Sequence, residues 1–496
     1  MPRPPVVERL DTLTAELTDL YGIEALLQWD QEVGLPARAV HDRAQQLATM
    51  RTVIHRRETD PELRRLVEEA QGLDDLPDAD RGLVRLVGRL VRQASLLPED
   101  FVAELARTTS AAFAVWVEAR QRADFAHFAP HLATIVALCR QKAELLGFPE
   151  HPYDALLDLH EEGLTTRAVT ELFAGLGPRL AAMLARAANQ PRTRLALSPP
   201  FTVPLQEAFA ERLLARIGFD FQRGRQDRSA HPFSTTIGHH DRRVTNRYRP
   251  DSIEFVLSAL HEGGHALYEQ GISDALARSP LDQGVSLGIH ESQSRLWENI
   301  IGRSRPFWEG LFPDLVAFFA PRFDGLDLET FLAAINAVAP GPIRVEADEV
   351  SYNLHILVRF ELEKALVEGS LAVADLPAVW NERYRQLLGV AVDDDAQGVL
   401  QDVHWSHGSF GYFPTYTLGN LAAAQFWQAY QEVDPDPNAT LRQGQLGRIR
   451  EWLAAAIHRH GAIYPPDELL RRVTGQPLTT GPFLGYLAGK YPDLVP

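Results

Sequence analysis

Two histidines four residues apart bracket a glutamate in His261-Glu262-Gly263-Gly264-His265. On an α-helix, side chains at i and i+4 share a face, so both imidazoles can reach one metal ion. Glu262 projects toward the same space and is not needed as a ligand. Such a helix offers two neutral imidazoles to zinc and a free general base for the water that the metal activates. The spacing therefore names a reaction type, metal-assisted hydrolysis.

A catalytic zinc takes a third protein ligand and keeps its fourth position for water. Peptidases that use a glutamate for that ligand carry it on the next helix, roughly 20 to 30 residues downstream. Glu291 lies 26 residues after His265, in Gly288-Ile289-His290-Glu291-Ser292-Gln293-Ser294-Arg295. Leu296, Trp297, Ile300 and Ile301 mark a helix behind it. The longer pattern His-Glu-x-x-His-x-x-Gly-x-x-His fails, because Tyr268 and Gly271 stand where it needs Gly and His.

The elements that must hold these residues are helices. Ile253, Phe255, Val256, Ala259 and Leu260 precede the histidines at helical spacing, and Asp251 or Ser252 is placed to cap the start after Pro250. Ala266, Leu267 and Tyr268 continue the helix to a stop at Gly271. Each interior glycine costs about 1 kcal/mol relative to alanine, so Gly263 and Gly264 imply close approach by substrate or another backbone. Helical periodicity recurs along the chain. It runs through Val7 to Leu20, Leu83 to Val91, Val169 to Ala187, Leu328 to Val338, Leu354 to Val367 and Leu441 to Ile457. Strand signals are few: Arg243 to Tyr248 alternates, and Gly284 to Gly288 fits a short edge strand. The reading is a mostly α chain with a small sheet near its middle.

At 496 residues and 45% hydrophobic content the chain can bury a large core. A formal net charge of −17 disfavours nucleic acid or an anionic membrane as partner, so a negatively charged substrate group needs local arginines. Cys139 is the single cysteine, which excludes an internal disulfide and a thiolate zinc cluster. MPRPPVVERLDTL has no apolar h-region and no apolar run approaches 18 residues, so a cytoplasmic location is expected.

Six ordered motifs carry a resemblance. They are His231-Pro232-Phe233; Asp241-x-Arg243-x-Thr245; His261 to His265; His290-Glu291-Ser292-Gln293; Ile343-Arg344-x-x-Ala347-Asp348; and Gly398-x-x-Gln401-Asp402-x-His404-Trp405. Leu27 to Gln31, Tyr153 to Asp158, Phe410 to Tyr416 and Pro482 to Leu487 also fit. Over essentially its whole length the chain resembles the carboxypeptidase Taq family of thermostable zinc metallocarboxypeptidases. The resemblance implies a mostly α, two-lobed zincin-type fold like that of neurolysin and angiotensin-converting enzyme, with a small antiparallel sheet beside a deep groove. The expected organisation is a single domain over 1–496. Within it, 1–220 is a largely helical lobe, 221–430 carries the zinc site and groove motifs, and 431–496 adds C-terminal helices. Removal of C-terminal residues with broad specificity, poor next to proline, and a homodimer are implied as well. Two departures are Gly263, where a larger residue is more usual, and His160, where an aromatic is; both point to altered groove width.

The resemblance and the zinc chemistry assign roles. His261, His265 and Glu291 hold Zn2+, with Co2+ suited to the same ligands. Glu262 is the general base. Tyr412 and Tyr416 are candidate donors to the oxyanion, with His404 and His407 as alternatives. Arg344, then Arg243, is the candidate for gripping the C-terminal carboxylate through paired hydrogen bonds. Each arginine has a structural alternative, Arg344 with Asp348 and Arg243 with Asp241. Asp348, Gln401 and Asp402 are expected to orient neighbours, and His231 is either a buried structural histidine or a substrate contact. A zinc endopeptidase or dipeptidyl carboxypeptidase would use the same ligands, and a silent zinc scaffold is the alternative of another class. No Gly-x-Met-Glu-Asn stretch supports an aminopeptidase.

Overall fold

The computed structural model describes residues 3–187, 202–250, 252–323 and 325–495. The chain folds as two compact units, each assembled from three stretches. Met1–Ser95, Leu195–Leu332 and Ala423–Pro477 form the first; Leu96–Arg194, Ala333–Ala422 and Leu478–Pro496 form the second.

The first unit carries the His-Glu-x-x-His helix, Glu254–Gln270. Helices Pro5–Val33, Pro61–Gln71 and Asp78–Leu96 bury Val7, Leu10, Leu63, Leu66, Leu83 and Val87 together. The same cluster takes in Ile272, Leu276 and Leu281, so the segment leaving the metal helix is anchored in this core. Asp60 starts one of these helices by accepting the Glu62 N–H ahead of a Pro61 that needs no donor partner.

Three strands lie beside the metal helix: β1 (Gly224–Arg228), β2 (Ser234–Gly238) and β3 (Asp241–Asn246), in the order β1-β3-β2. The sheet is mixed, whereas an antiparallel one was expected. The two-residue turn His239–His240 forces β2 and β3 antiparallel, while the return through Ser229–Phe233 leaves β1 parallel to β3. Asn246 ends β3 by donating its side-chain amide to the Phe255 carbonyl at 2.9 Å, which ties the sheet to the start of the metal helix. Gly284–Gly288 is not a strand. Ser286 accepts the Ile289 N–H at 3.2 Å and opens helix Leu287–Arg295 instead.

The second unit is built from helices Glu99–Arg122, Phe125–Leu146, Thr166–Ala187, Tyr352–Glu368 and Leu376–Leu388. Tyr352–Glu368 is buried over most of its surface and takes Arg359 and Glu363 into the interior with it. Thr166–Ala187 is long and apolar enough to cross a membrane, yet it buries Val169, Phe173, Leu176 and Leu180 in this unit. The periodic run from Leu441 to Ile457 breaks into Pro437–Arg442 and Leu446–Ala456, because Gly444 turns the chain at φ +65°.

Candidate metal centre

The metal helix begins without a side-chain cap at Ile253, although Ser252 Oγ accepts the Glu254 N–H at 3.1 Å; Asp251 lies outside the described residues. The two glycines have different neighbours. A Cβ on Gly264 would stand 2.5 Å from the Gln293 carbonyl oxygen and 2.7 Å from the Ser294 Cα. A Cβ on Gly263 would meet only the side chains of Ile217 and Leu214, at 2.6 and 2.8 Å. Gly264 therefore lets the Glu291 helix cross the metal helix backbone to backbone. Gly263 is buried against core side chains, so its small size is absorbed by internal packing.

That crossing brings the three expected ligands together. Donor atoms of His261, His265 and Glu291 lie within 4.8 Å of one another. Glu291 Oε2 is 3.4 Å from His265 Nε2 and 3.8 Å from His261 Nε2. Arg295 Nε donates to Glu291 Oε1 at 2.6 Å and Ser294 Oγ to Oε2 at 3.2 Å, which fixes the carboxylate. Burial works against an ionised Glu291, but Arg295 and the histidines outweigh it and hold its pKa well below the usual carboxylate range.

Both imidazoles are braced through Nδ1. His261 Nδ1 is 2.8 Å from Glu298 Oε2, which also accepts from Arg295 Nη1 at 3.1 Å. His265 Nδ1 is 2.6 Å from His290 Nδ1, and His290 Nε2 is 2.9 Å from Glu269 Oε1. Glu269 is held in turn by the Gly284 N–H at 2.8 Å and the Thr236 hydroxyl at 3.1 Å, with Arg242 Nη1 at 3.3 Å. This network assigns the Nδ1 protons and leaves both Nε2 atoms facing the Glu291 carboxylate. For His261, burial disfavours the charged ring, yet Glu291 and then Glu298 raise its pKa to about 9. For His265, burial lowers it to about 4, with His290 and His261 adding repulsion. Two imidazoles and a carboxylate, with no thiolate, in a buried pocket enriched in carboxylates suit a borderline divalent ion such as zinc.

Glu262 is 6% exposed. Burial pushes its carboxyl up to about 7; His261 opposes this, and Glu291 and Glu298 reinforce it. A carboxyl at this value can both take and return a proton near neutrality.

Arg243 adopts its structural alternative. It pairs with Asp241 through two hydrogen bonds of 2.8 and 2.7 Å and lies 5.5 Å over the Trp29 ring. Trp29 in turn meets Phe233 edge-on at 5.4 Å, so three of the resemblance segments converge here. His231 is exposed, which removes the buried structural reading.

Arg344, His404, Tyr412 and Tyr416 belong to the second unit. The partner of Arg344 is Asp402, not Asp348: Nε and Nη2 donate to Asp402 Oδ1 at 3.0 and 2.8 Å, and Nη1 donates to the Tyr352 hydroxyl at 3.0 Å. Asp402 Oδ2 accepts from Arg359 Nε at 2.7 Å, and the Arg344 N–H donates to Gln401 Oε1 at 2.8 Å. Asp348 instead accepts the backbone N–H groups of Val350 and Ser351, both at 2.9 Å, because a helix start leaves those donors without partners. His404 Nε2 lies 3.2 Å from the Tyr416 hydroxyl, and Tyr412 and Tyr416 rings meet at 5.4 Å. Burial lowers His404 to about 3. His407 is exposed and its ring meets that of Phe113 at a tilt, with centroids 5.2 Å apart, rather than joining them. His160 meets Tyr412 edge-on at 5.3 Å and reaches the Phe410 carbonyl at 3.2 Å, doing an aromatic residue's packing with a polar tip.

Sequence reasoning missed Glu298, Arg295, Glu269 and Arg242. The signal was present for two of them: Arg295 and Glu298 fall four and seven residues after Glu291, on one helix face.

The sequence profile of the Carboxypeptidase Taq (M32) metallopeptidase family matches residues 9–491. Thermostable carboxypeptidase 1 of Thermus thermophilus is 44% identical, with 97% of each chain covered. The crystal structure of the M32 carboxypeptidase from Deinococcus radiodurans superposes with a TM-score of 0.95 at 40% identity, covering 99% of both chains. The Pyrococcus furiosus carboxypeptidase structure gives 0.96 at 39% identity, again over 99% of both. The chain belongs to the Carboxypeptidase Taq (M32) metallopeptidase family and is a metal-dependent carboxypeptidase, a hydrolase of peptides.

Proposed function

We propose that the protein is a zinc exopeptidase that removes C-terminal residues from peptides with broad specificity, poorly beside proline, and that Glu262 is its general base. The observation that carries this reading is the buried Glu262 carboxyl, raised to about 7, beside the His261, His265 and Glu291 cluster. Zinc held by His261, His265 and Glu291 would supply Lewis-acid chemistry, polarising the scissile carbonyl and lowering the pKa of water at the site. Glu262 takes the proton from the attacking water and delivers it to the leaving amine.

Tyr416 is the preferred donor to the oxyanion. Among the described residues His404 Nδ1 is buried without a hydrogen-bond partner, so the neutral ring carries its proton on Nε2, where it donates to the Tyr416 oxygen. A Tyr416 oxygen that accepts from His404 keeps its own O–H as the donating side of the group, the role that oxyanion stabilisation needs. Tyr412 is the second choice. Arg344 is the proposed grip for the substrate carboxylate: Asp402 fixes its Nε side and orients the fork, so little side-chain entropy is lost on binding. Arg243, held in the same way by Asp241 through Nε and Nη2, is the second candidate.

The experiment compares an N-blocked dipeptide with its C-terminal amide. Hydrolysis of the free acid with the amide nearly inert supports the exopeptidase reading. Equal rates would favour an endopeptidase on the same ligands. Release of dipeptides from an N-blocked tripeptide would favour a dipeptidyl carboxypeptidase.

A further inference from the structure

A second group in the first unit has the makings of a metal site. Among the described residues, two sets of His and carboxylate side chains bring three donor atoms within 4.8 Å of one another. One is the catalytic set; the other is His239, His240 and Asp274. The β2–β3 turn presents the two histidines side by side, with ring centroids 4.6 Å apart. Asp274 opens a short 3-10 helix, Asp274–Leu276, in the segment after the metal helix.

The histidine that matters is built in rather than merely exposed. The His239 side chain is 5% exposed, and its Nδ1 is 2.8 Å from Asp282 Oδ1, on a carboxylate only 4% exposed. Arg242 Nη2 donates to the same oxygen at 2.6 Å. This repeats the arrangement at the catalytic centre, where Arg295 backs Glu298 and Glu298 holds His261 Nδ1. A carboxylate on one ring nitrogen fixes the tautomer and orientation that a metal requires at the other. The other nitrogen of His239, Nε2, lies 2.8 Å from Asp274 Oδ1. The turn is also fixed through its backbone: Arg223 donates to the His239 carbonyl at 3.2 Å and to the Gln270 carbonyl at 3.0 Å.

We propose that His239, His240 and Asp274 form a second site for a divalent transition ion, which staples the β2–β3 turn to the segment that follows the metal helix. Two imidazoles and one carboxylate select zinc, cobalt, nickel or copper over magnesium and calcium. Exposure of His240 and of Asp274, whose side chain is 82% exposed, leaves the remaining positions to water and makes this site weaker than the catalytic one. An ion there replaces the proton shared by Nε2 and Asp274, and adds a metal link between two segments already joined by the His239–Asp282 and Arg242–Asp282 pairs. The Arg242 brace is common to both centres, since its Nη1 reaches Glu269, the carboxylate behind His290 and His265.

Equilibrium dialysis of the full chain against micromolar zinc, with metal counted per chain, tests this. The wild type should hold two equivalents, and the double variant His240→Ala, Asp274→Asn should hold one. Both substituted side chains are exposed, so the fold is retained, and circular dichroism checks it. His261→Ala should lose the tight equivalent and keep the weak one. Zinc beyond the first equivalent should also raise Tm in the wild type and not in the double variant. A wild type that stops at one equivalent, or a double variant that still binds two, overturns the proposal.

Discussion

Gly264 on the metal helix and Gln293 on the Glu291 helix touch backbone to backbone, with 2.5 Å between an added Cβ and the Gln293 oxygen. That contact sets how near Glu291 comes to His261 and His265. Glycine is accepted inside this helix, at a cost of about 1 kcal/mol relative to alanine, because the crossing needs its missing side chain.

Gly264→Ala should therefore destabilise, since relief of the clash requires moving a backbone, at about 1–3 kcal/mol against the small gain in helix propensity. Zinc affinity should fall with it. Gly263→Ala meets only the flexible ends of Leu214 and Ile217 and should be milder. Tm and zinc content of the two variants, measured side by side, check the difference; equal losses would contradict the assigned contact.

Glu298 orients His261 without being a ligand in the proposed set, so Glu298→Gln should keep the three ligand side chains and weaken the metal by roughly 10–100-fold. Competition with a chelator reads this directly. The same substitution also removes a negative charge from beside Glu262 and His261, so both pKa values should move down.

The activity should show an acid limb. Glu262 is a base only when ionised, and burial with two neighbouring carboxylates raises its pKa to about 7. A dication at the adjacent ligands favours the ionised form, so the midpoint falls at or below about 7. The ratio kcat/KM should climb with pH through this region and flatten above it. A profile that stays flat down to about pH 5 contradicts the raised pKa.

Asp402 stands between two buried guanidiniums, Arg344 and Arg359, with pKa well below the usual carboxylate range because their attraction outweighs its burial. Asp402→Asn strands both charges and should cost about 3–5 kcal/mol. Urea denaturation at neutral pH measures it. A loss under about 1 kcal/mol would mean that Arg344 is not fixed by this pair.

Local spacing made much of the site legible. His261, Glu262 and His265 follow from i and i+4 geometry, and Glu291 from the need for one further ligand with water in the fourth position. The partners that fix Arg344 were not legible in the same way, because Asp402 lies 58 residues away and the sequence offered Asp348 at i+4 instead. Gly284 to Gly288 looked like a strand because small and apolar residues alternate there. In the fold, Gly284 serves close approach to Tyr268 and His290, and Ser286 serves as a helix cap. The mixed sheet follows from the path of the chain between β1 and β2, which no local pattern encodes.

The central claim is that Glu262 moves the proton while His261, His265 and Glu291 hold the metal. Zinc content and hydrolysis of an N-blocked dipeptide should be measured together on Glu262→Gln. The expected outcome is one tightly bound zinc per chain with kcat reduced at least about 100-fold, and no recovery at higher pH. Near wild-type kcat with the metal in place would contradict the account.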